Sequence, residues 1–498
     1  MNAARWLRPG CPVLGAVAAA TALHAQGYSA RLDTRLQMAA FRGVALDSVA
    51  QSETVMGPTG GLETPDGIAV SCTPSGACYY FRPGAIQRAA PLVQSAALTA
   101  WGLGVSGLSV HADGRLIAQL GDASWAAGEP SVQLLEGYVE YAPAAWSLRL
   151  GRQQQLTRLG PAGFDGILGG LALLSGRAQL HAFAGWGLAR ATALPITSPA
   201  LNPLDEYRPS QRTRLYGADL SYAEAAGSVR LDYQRELDGR SSYFVSERVA
   251  LSGDTRFTRE FSLAGGAEYD MAEGRWGSAD LRLRYVQPAI TATVAARHYR
   301  PHFDLWTIWG AFSPVPFNAI SAAVQARPSQ GLTLRARGER YWFEAAEVSA
   351  PLVSVEDAGW RASVGGTLDF ATRWRAELDL QEEFGPGAAS RGAAVAVTYT
   401  PKPGLDLRAS AAALERPLEF RYSDAGVNSA GLDLDWSFSE RMQATLGIAH
   451  YWQRQDRPDA SGFDWNQTRL NAGLTLVLGG VSMVPLPPAR RTHGGRAP

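Results

Sequence analysis

Strict alternation of apolar and polar residues, with charges in mid-strand, recurs along almost the whole of this chain and limits what it can fold into. The stretch from Val132 to Gln153 shows it best. On its first arm Leu135, Val139 and Tyr141 share one face while Glu136, Tyr138 and Glu140 share the other. After Ala-Pro-Ala-Ala, Trp146, Leu148 and Leu150 alternate with Ser147, Arg149 and Gly151. A period of two marks a β-strand with one greasy and one polar face. In a soluble sandwich the charged face would look at bulk water. In a membrane barrel the apolar face meets lipid and the charged face lines an aqueous lumen.

Repetition decides between them. The pattern opens at Arg31–Phe41 and returns near 92–104 and 108–120. It runs on through Tyr216–Tyr222, Ala279–Tyr285, 332–343, 374–384 and Leu432–Phe438 to the apolar row Leu470, Ala472, Leu474, Leu476 and Leu478. Short turns such as Pro401-Lys402-Pro403-Gly404 alternate with long polar connections. Keeping all long connections on one rim requires Gly166–Leu174, rich in glycine and poorly alternating, to be a strand of its own. The reading is an all-β, antiparallel up-and-down transmembrane barrel of about 22 strands (18–22), with short periplasmic turns and long extracellular loops. A propeller would show a self-similar repeat of about 40–50 residues, and none is present.

Residues 1–25 read as a signal peptide: Arg5 and Arg8, an apolar core from Pro12 to Leu23, and Ala25 before a cut at Gln26. Cys11 precedes that core, which argues against a lipoprotein. The barrel is expected over 26–478, with a flexible periplasmic tail over 479–498. No run of 18 or more apolar residues marks a membrane helix. The formal net charge of +0 lacks the basic excess of a nucleic-acid binder.

Residues 43–90 show no sustained period and read as a long loop. Inside it, Cys72 and Cys78 flank Pro74 and Gly76 in a chain bound for an oxidising compartment, which points to a loop disulfide. Two thiolates alone would leave a metal short of ligands. A barrel this wide needs its lumen narrowed. The expected devices are this segment, with the disulfide shaping its inward part, and the aromatic stretch 300–316.

Glu136, Glu140, Arg149, Arg282, Arg284, Arg335, Arg337, Arg375, Asp433 and Asp435 are the candidate pore-lining residues. Arg230, Arg408, Asp219, Asp232, Asp280, Glu377, Asp379 and Asp406 share their phase. Neither sign dominates, so ion selectivity is open. Pairs such as Arg282/Arg284 and Arg335/Arg337 suit an anion or a solvated wall. His298, His302 and Asp304 imitate a metal site, but Pro301 breaks any helix that would align them. No cofactor fingerprint or phosphate loop is present.

The stretches Glu136-Gly-Tyr-Val-Glu-Tyr, Trp146-Ser-Leu-Arg-Leu-Gly-Arg-Gln and Phe164-Asp-Gly resemble Gram-negative outer-membrane porins, where such a hairpin runs into a long surface loop. The resemblance implies passive diffusion of small hydrophilic solutes through the outer membrane. It also implies contact with outer-membrane lipid and lipopolysaccharide. Porins commonly have fewer strands and end on an aromatic, so monomer and trimer both stay open. Receptors of the TonB-dependent class carry an N-terminal plug, for which the segment before the second strand is too short. The remaining readings are an outer-membrane hydrolase using His111 or His450 beside a Ser or Asp, and a polymer-export barrel of the alginate-exporter type with an arginine-lined pore.

Overall fold

The computed structural model describes residues 27–57, 60–122, 132–188, 213–239, 244–300, 316–344, 358–385, 388–415, 425–455 and 465–479. The expected signal peptide, the tail beyond 479 and the aromatic stretch 301–315 lie outside these residues. The wall is a closed antiparallel barrel of 22 strands in which each strand pairs with its neighbours in sequence. It begins with Gly27–Ala50 and ends with Trp465–Gly479. These two close the ring in the register Ser29↔Gly479 to Ala39↔Arg469. On its other side the first strand pairs with Pro91–Trp101. The glycine-rich strand required by parity is real and runs from Gly160 to Leu173.

Opposed residues of antiparallel strands share a face, so register sorts the chain into inward and outward rows. One outward row runs Leu407, Leu434, Leu446, Ala472 and Leu36 across five strands. The row beside it contains Leu432, which is 61% exposed, then Ile448, Leu470 and Met38. Apolar surface of this extent is untenable in water and is what hydrocarbon requires of a closed barrel. The wall therefore spans a membrane. Short turns at 142–145, 225–226 and 403–404 share one rim, and the long connections share the other. A tag inserted after Pro403 should stay protected on intact cells, whereas one at Gln51 should be labelled from outside. Labelling at Pro403 would invert the rims.

The structure corrects the reading of 43–90 as a loop. The first strand continues to Ala50, and Ala77–Ala89 pairs with it from Ala39↔Ala89 to Ala50↔Ala77. A bulge between Arg42 and Val44 shifts the phase there. Above the rim both faces meet solvent, so no apolar alternation is selected, and the period fades for that reason. Cys72 and Cys78 are bonded near the tip of this raised hairpin, with Cα atoms 3.9 Å apart. The described hairpin bonds to itself, as in the Arg82–Asp47 pair at 2.7 Å. A second hairpin enters the lumen.

Candidate functional site: a lumen narrowed by an inward hairpin

The strand Trp146–Thr157 pairs with Val132–Tyr141 only from Tyr141↔Leu148 to Gly137↔Arg152. Beyond Arg152 it keeps a single neighbour, Gly160–Leu173, in the register Gln153↔Phe164 to Thr157↔Gly160. Gly151 sits where the strand leaves the wall. Its φ of 132° places it in the glycine region, and a Cβ there would come within 2.2 Å of the Gly137 carbonyl.

The freed hairpin, 153–164, folds into the lumen. Its tip residue Arg158 donates to Asp280 at 2.6 Å and to the Gly266 carbonyl at 2.9 Å. The Arg158 amide donates to Asp232 at 3.3 Å, and Gln155 donates to Asp219 at 3.1 Å. These carboxylates stand in the phase opposite the lipid-facing rows. Gly266 makes room for the tip, since a Cβ there would lie 2.9 Å from the Arg158 guanidinium.

Packing agrees with the polar contacts. Ala162 and Phe164 of the hairpin cluster with Leu168, Phe183 and Leu215 of the wall, all buried. The rings of Phe164 and Phe183 stack with centroids 5.0 Å apart. Each buried aromatic contributes roughly 1.5–3 kcal/mol relative to exposure. Leu168, Phe183 and Leu215 break the polar character of their inward rows because the hairpin covers them. Beneath it Asp219 and Asp232 are buried, and Arg230 bridges them at 3.3 and 2.7 Å. His181 reaches Asp219 at 3.1 Å. Buried carboxylates persist only with such partners.

By register the ten candidates stand in the phase opposite the exposed leucine rows. Glu140 pairs with Arg149 at 2.7 Å, and Arg149 lies over the Tyr138 ring. Glu136 stands 3.4 Å from His111, whose other nitrogen contacts Thr99. Arg335 is held by Asp379 at 2.6 Å, and Arg375 by Asp369 at 2.7 Å. Asp433 and Asp435 lie opposite Arg408 and Asp406. Arg282 and Arg284 have no ion-pair partner among the described residues.

The structure adds a hub that the sequence reading did not single out. Glu339 is buried among Arg297 at 2.7 Å, Arg361 at 3.1 Å and Arg337 at 3.3 Å. Between Arg282/Arg284 and this hub the wall carries only small side chains. The rows run Arg282, Ala295, Ser321, Glu339 and Arg284, Thr293, Ala323, Arg337. A shallow trough with arginines on both banks results. Across the strands that follow, inward charges are mixed: Glu377 pairs with Arg408 at 2.8 Å, and Asp406, Asp433 and Asp435 share their phase with Arg375 and Arg408. Charges of both signs set the local field along this part of the wall.

The two histidines weighed for hydrolysis part company. His111 faces inward between Thr99 and Glu136. His450 faces lipid and contacts Thr468 through Nδ1 at 2.9 Å. His298 contacts Asn318 at 3.0 Å, while His302 and Asp304 lie outside the described residues.

Neither a protein-family model nor a curated protein matches the sequence. Among solved structures the chain is similar to the siderophore receptor PirA from Pseudomonas aeruginosa, with 10% identity and a TM-score of 0.50 over 90% of this chain and 80% of that one. The fold is an outer-membrane-type barrel. OccAB2 of Acinetobacter baumannii matches at 11% identity and a TM-score of 0.39, over 91% of this chain and 98% of that one. OprD of Pseudomonas aeruginosa matches at 10% and 0.35, over 91% and 96%.

Proposed function

We propose that this barrel is a porin-like channel of the Gram-negative outer membrane, through which small hydrophilic solutes or ions diffuse passively. The observation that carries the reading is a lipid-facing wall around a charged lumen into which, among the described residues, the hairpin 153–164 folds. A barrel of this strand number leaves a wide passage unless filled. The trough between Arg282/Arg284 and Arg337 would draw the anionic groups of a solute to one bank. Carboxylates on nearby strands, among them Asp433 and Asp435, would attract cationic groups.

Purified protein in planar bilayers should give steady, voltage-independent conductance steps. Changing Arg282 and Arg284 together to Ala should shift the reversal potential in a salt gradient toward cation preference. Absence of conductance from folded barrels would overturn the channel reading. Lipid hydrolysis in its place would favour an outer-membrane hydrolase.

A further inference from the structure

His111 is placed unlike any other histidine among the described residues. Its Nδ1 meets the Thr99 hydroxyl at 2.8 Å, and its Nε2 stands 3.4 Å from Glu136 Oε2. His181 and His298 have carboxylates at 3.1 and 3.5 Å but no hydroxyl. His450 has the Thr468 hydroxyl but no carboxylate, and it faces lipid. A hydroxyl, an imidazole and a carboxylate in contact, within reach of water, are the parts of an activated nucleophile.

Local structure holds the three in place. Thr99 lies directly opposite His111, and His111 opposite Tyr138. The imidazole stacks on the Tyr138 ring with centroids 4.9 Å apart, which fixes its plane. Glu136 comes from the next pair along, opposite Asp113, and the pairing slips at once between Asp113 and Gly114. Bulges of this kind re-aim neighbouring side chains. A carboxylate beside Nε2 holds the ring proton there and leaves Nδ1 bare to accept from Thr99. The side chains of His111 and Glu136 keep 20% and 29% of their surface open, so small solutes in the lumen reach them.

We infer that Thr99, His111 and Glu136 form a hydrolytic centre in the lumen wall that acts on small neutral esters. The inference takes a water-filled lumen from the channel reading and adds a reaction to it. Thr99 Oγ1 attacks the ester carbonyl carbon while its proton passes to His111 Nδ1. The adduct then breaks its bond to the alkoxy oxygen, which takes that proton and leaves as the alcohol. Water attacks the acyl–Thr99 ester next. Nδ1 takes one of its protons and returns it to Oγ1 as the acid departs. Ser29, opposite Thr99 in register, brings a second hydroxyl that can donate to the carbonyl oxygen as it becomes negative. The opposed carboxylates Asp113 and Glu136 disfavour anionic esters.

The test uses the full chain refolded into phosphatidylcholine vesicles, with p-nitrophenyl butyrate as probe. Wild-type protein should release p-nitrophenolate with saturation kinetics, and acid quenching should find the butyryl group on the peptide carrying Thr99. Thr99→Val and His111→Asn should each lower kcat about a hundredfold, the scale of a lost nucleophile or base. Thr99→Ser should keep turnover, because it keeps the hydroxyl. Glu136→Gln should lower kcat and leave KM unchanged, as expected of a positioning residue. His450→Ala should match wild type. Heat-modifiable mobility confirms folding of each variant, and conductance reads the channel separately. No turnover by folded wild-type protein would overturn the centre, whatever the conductance. So would equal turnover in Thr99→Val and His111→Asn, loss of turnover in His450→Ala, or a butyryl group found elsewhere.

Discussion

Arg158→Ala should raise single-channel conductance and make the open current noisy, because the tip of the inward hairpin loses its hold on the wall at Gly266 and Asp280. The substitution removes the donations to Asp280 and to the Gly266 carbonyl. Hydrogen bonds to charged groups contribute about 1.5–3 kcal/mol each. With about 3 kcal/mol less holding it, the tip should be displaced on the order of a hundred times more often. Phe164 stays stacked on Phe183, so the base of the hairpin remains docked and the barrel assembles. Asp280→Ala should act alike, since it removes the carboxylate to which the guanidinium donates. Single-channel recording and solute-cutoff measurements check both. Wild-type currents from both folded variants would mean that the hairpin does not set the passage.

Leu474→Arg and Leu434→Arg should each destabilise the folded barrel by about 2–4 kcal/mol if they sit near the bilayer midplane. Both leucines belong to outward rows, Leu434 between Leu407 and Leu446 and Leu474 opposite Ala444 and Thr34. Asp433→Arg, one residue from Leu434 on the inward phase, should be mild for folding and should shift ion selectivity. Urea titration in lipid vesicles measures the first effect, and reversal potential the second. Equal destabilisation by all three would contradict the faces assigned by register.

The wall was legible because each strand must present lipid and water at the same time. That demand writes alternation into Trp374–Leu380 or Leu470–Leu478 regardless of neighbours. Gly166–Leu174 lacked the alternation, yet parity of long and short connections still required it. Parity, unlike propensity, is a property of the whole chain. The inward hairpin was not legible for the converse reason. Residues 153–164 meet protein on one side and lumen water on the other, so no lipid-facing row constrains them. Their signal lay elsewhere, in Phe183 and Leu215, apolar residues on rows that otherwise face water. The raised hairpin 39–50/77–89 was hidden by its bulge and by solvent on both faces. Among the charges, the hub at Glu339 depends on Arg297 and Arg361, which lie on strands apart from it, and only register brings the three together.

The seam between the first and last strands has a consequence for how the protein is made. Thr475 donates to Asp33 across 442 positions of sequence, so the wall cannot shut until nearly the whole chain has arrived. Until then two unpaired strand edges stand open, the kind of surface that recruits foreign strands. Contacts of such separation also form slowly. A partly delivered chain therefore needs something to occupy its free edges. Truncation before Trp465 should yield aggregation-prone ribbons and not smaller barrels.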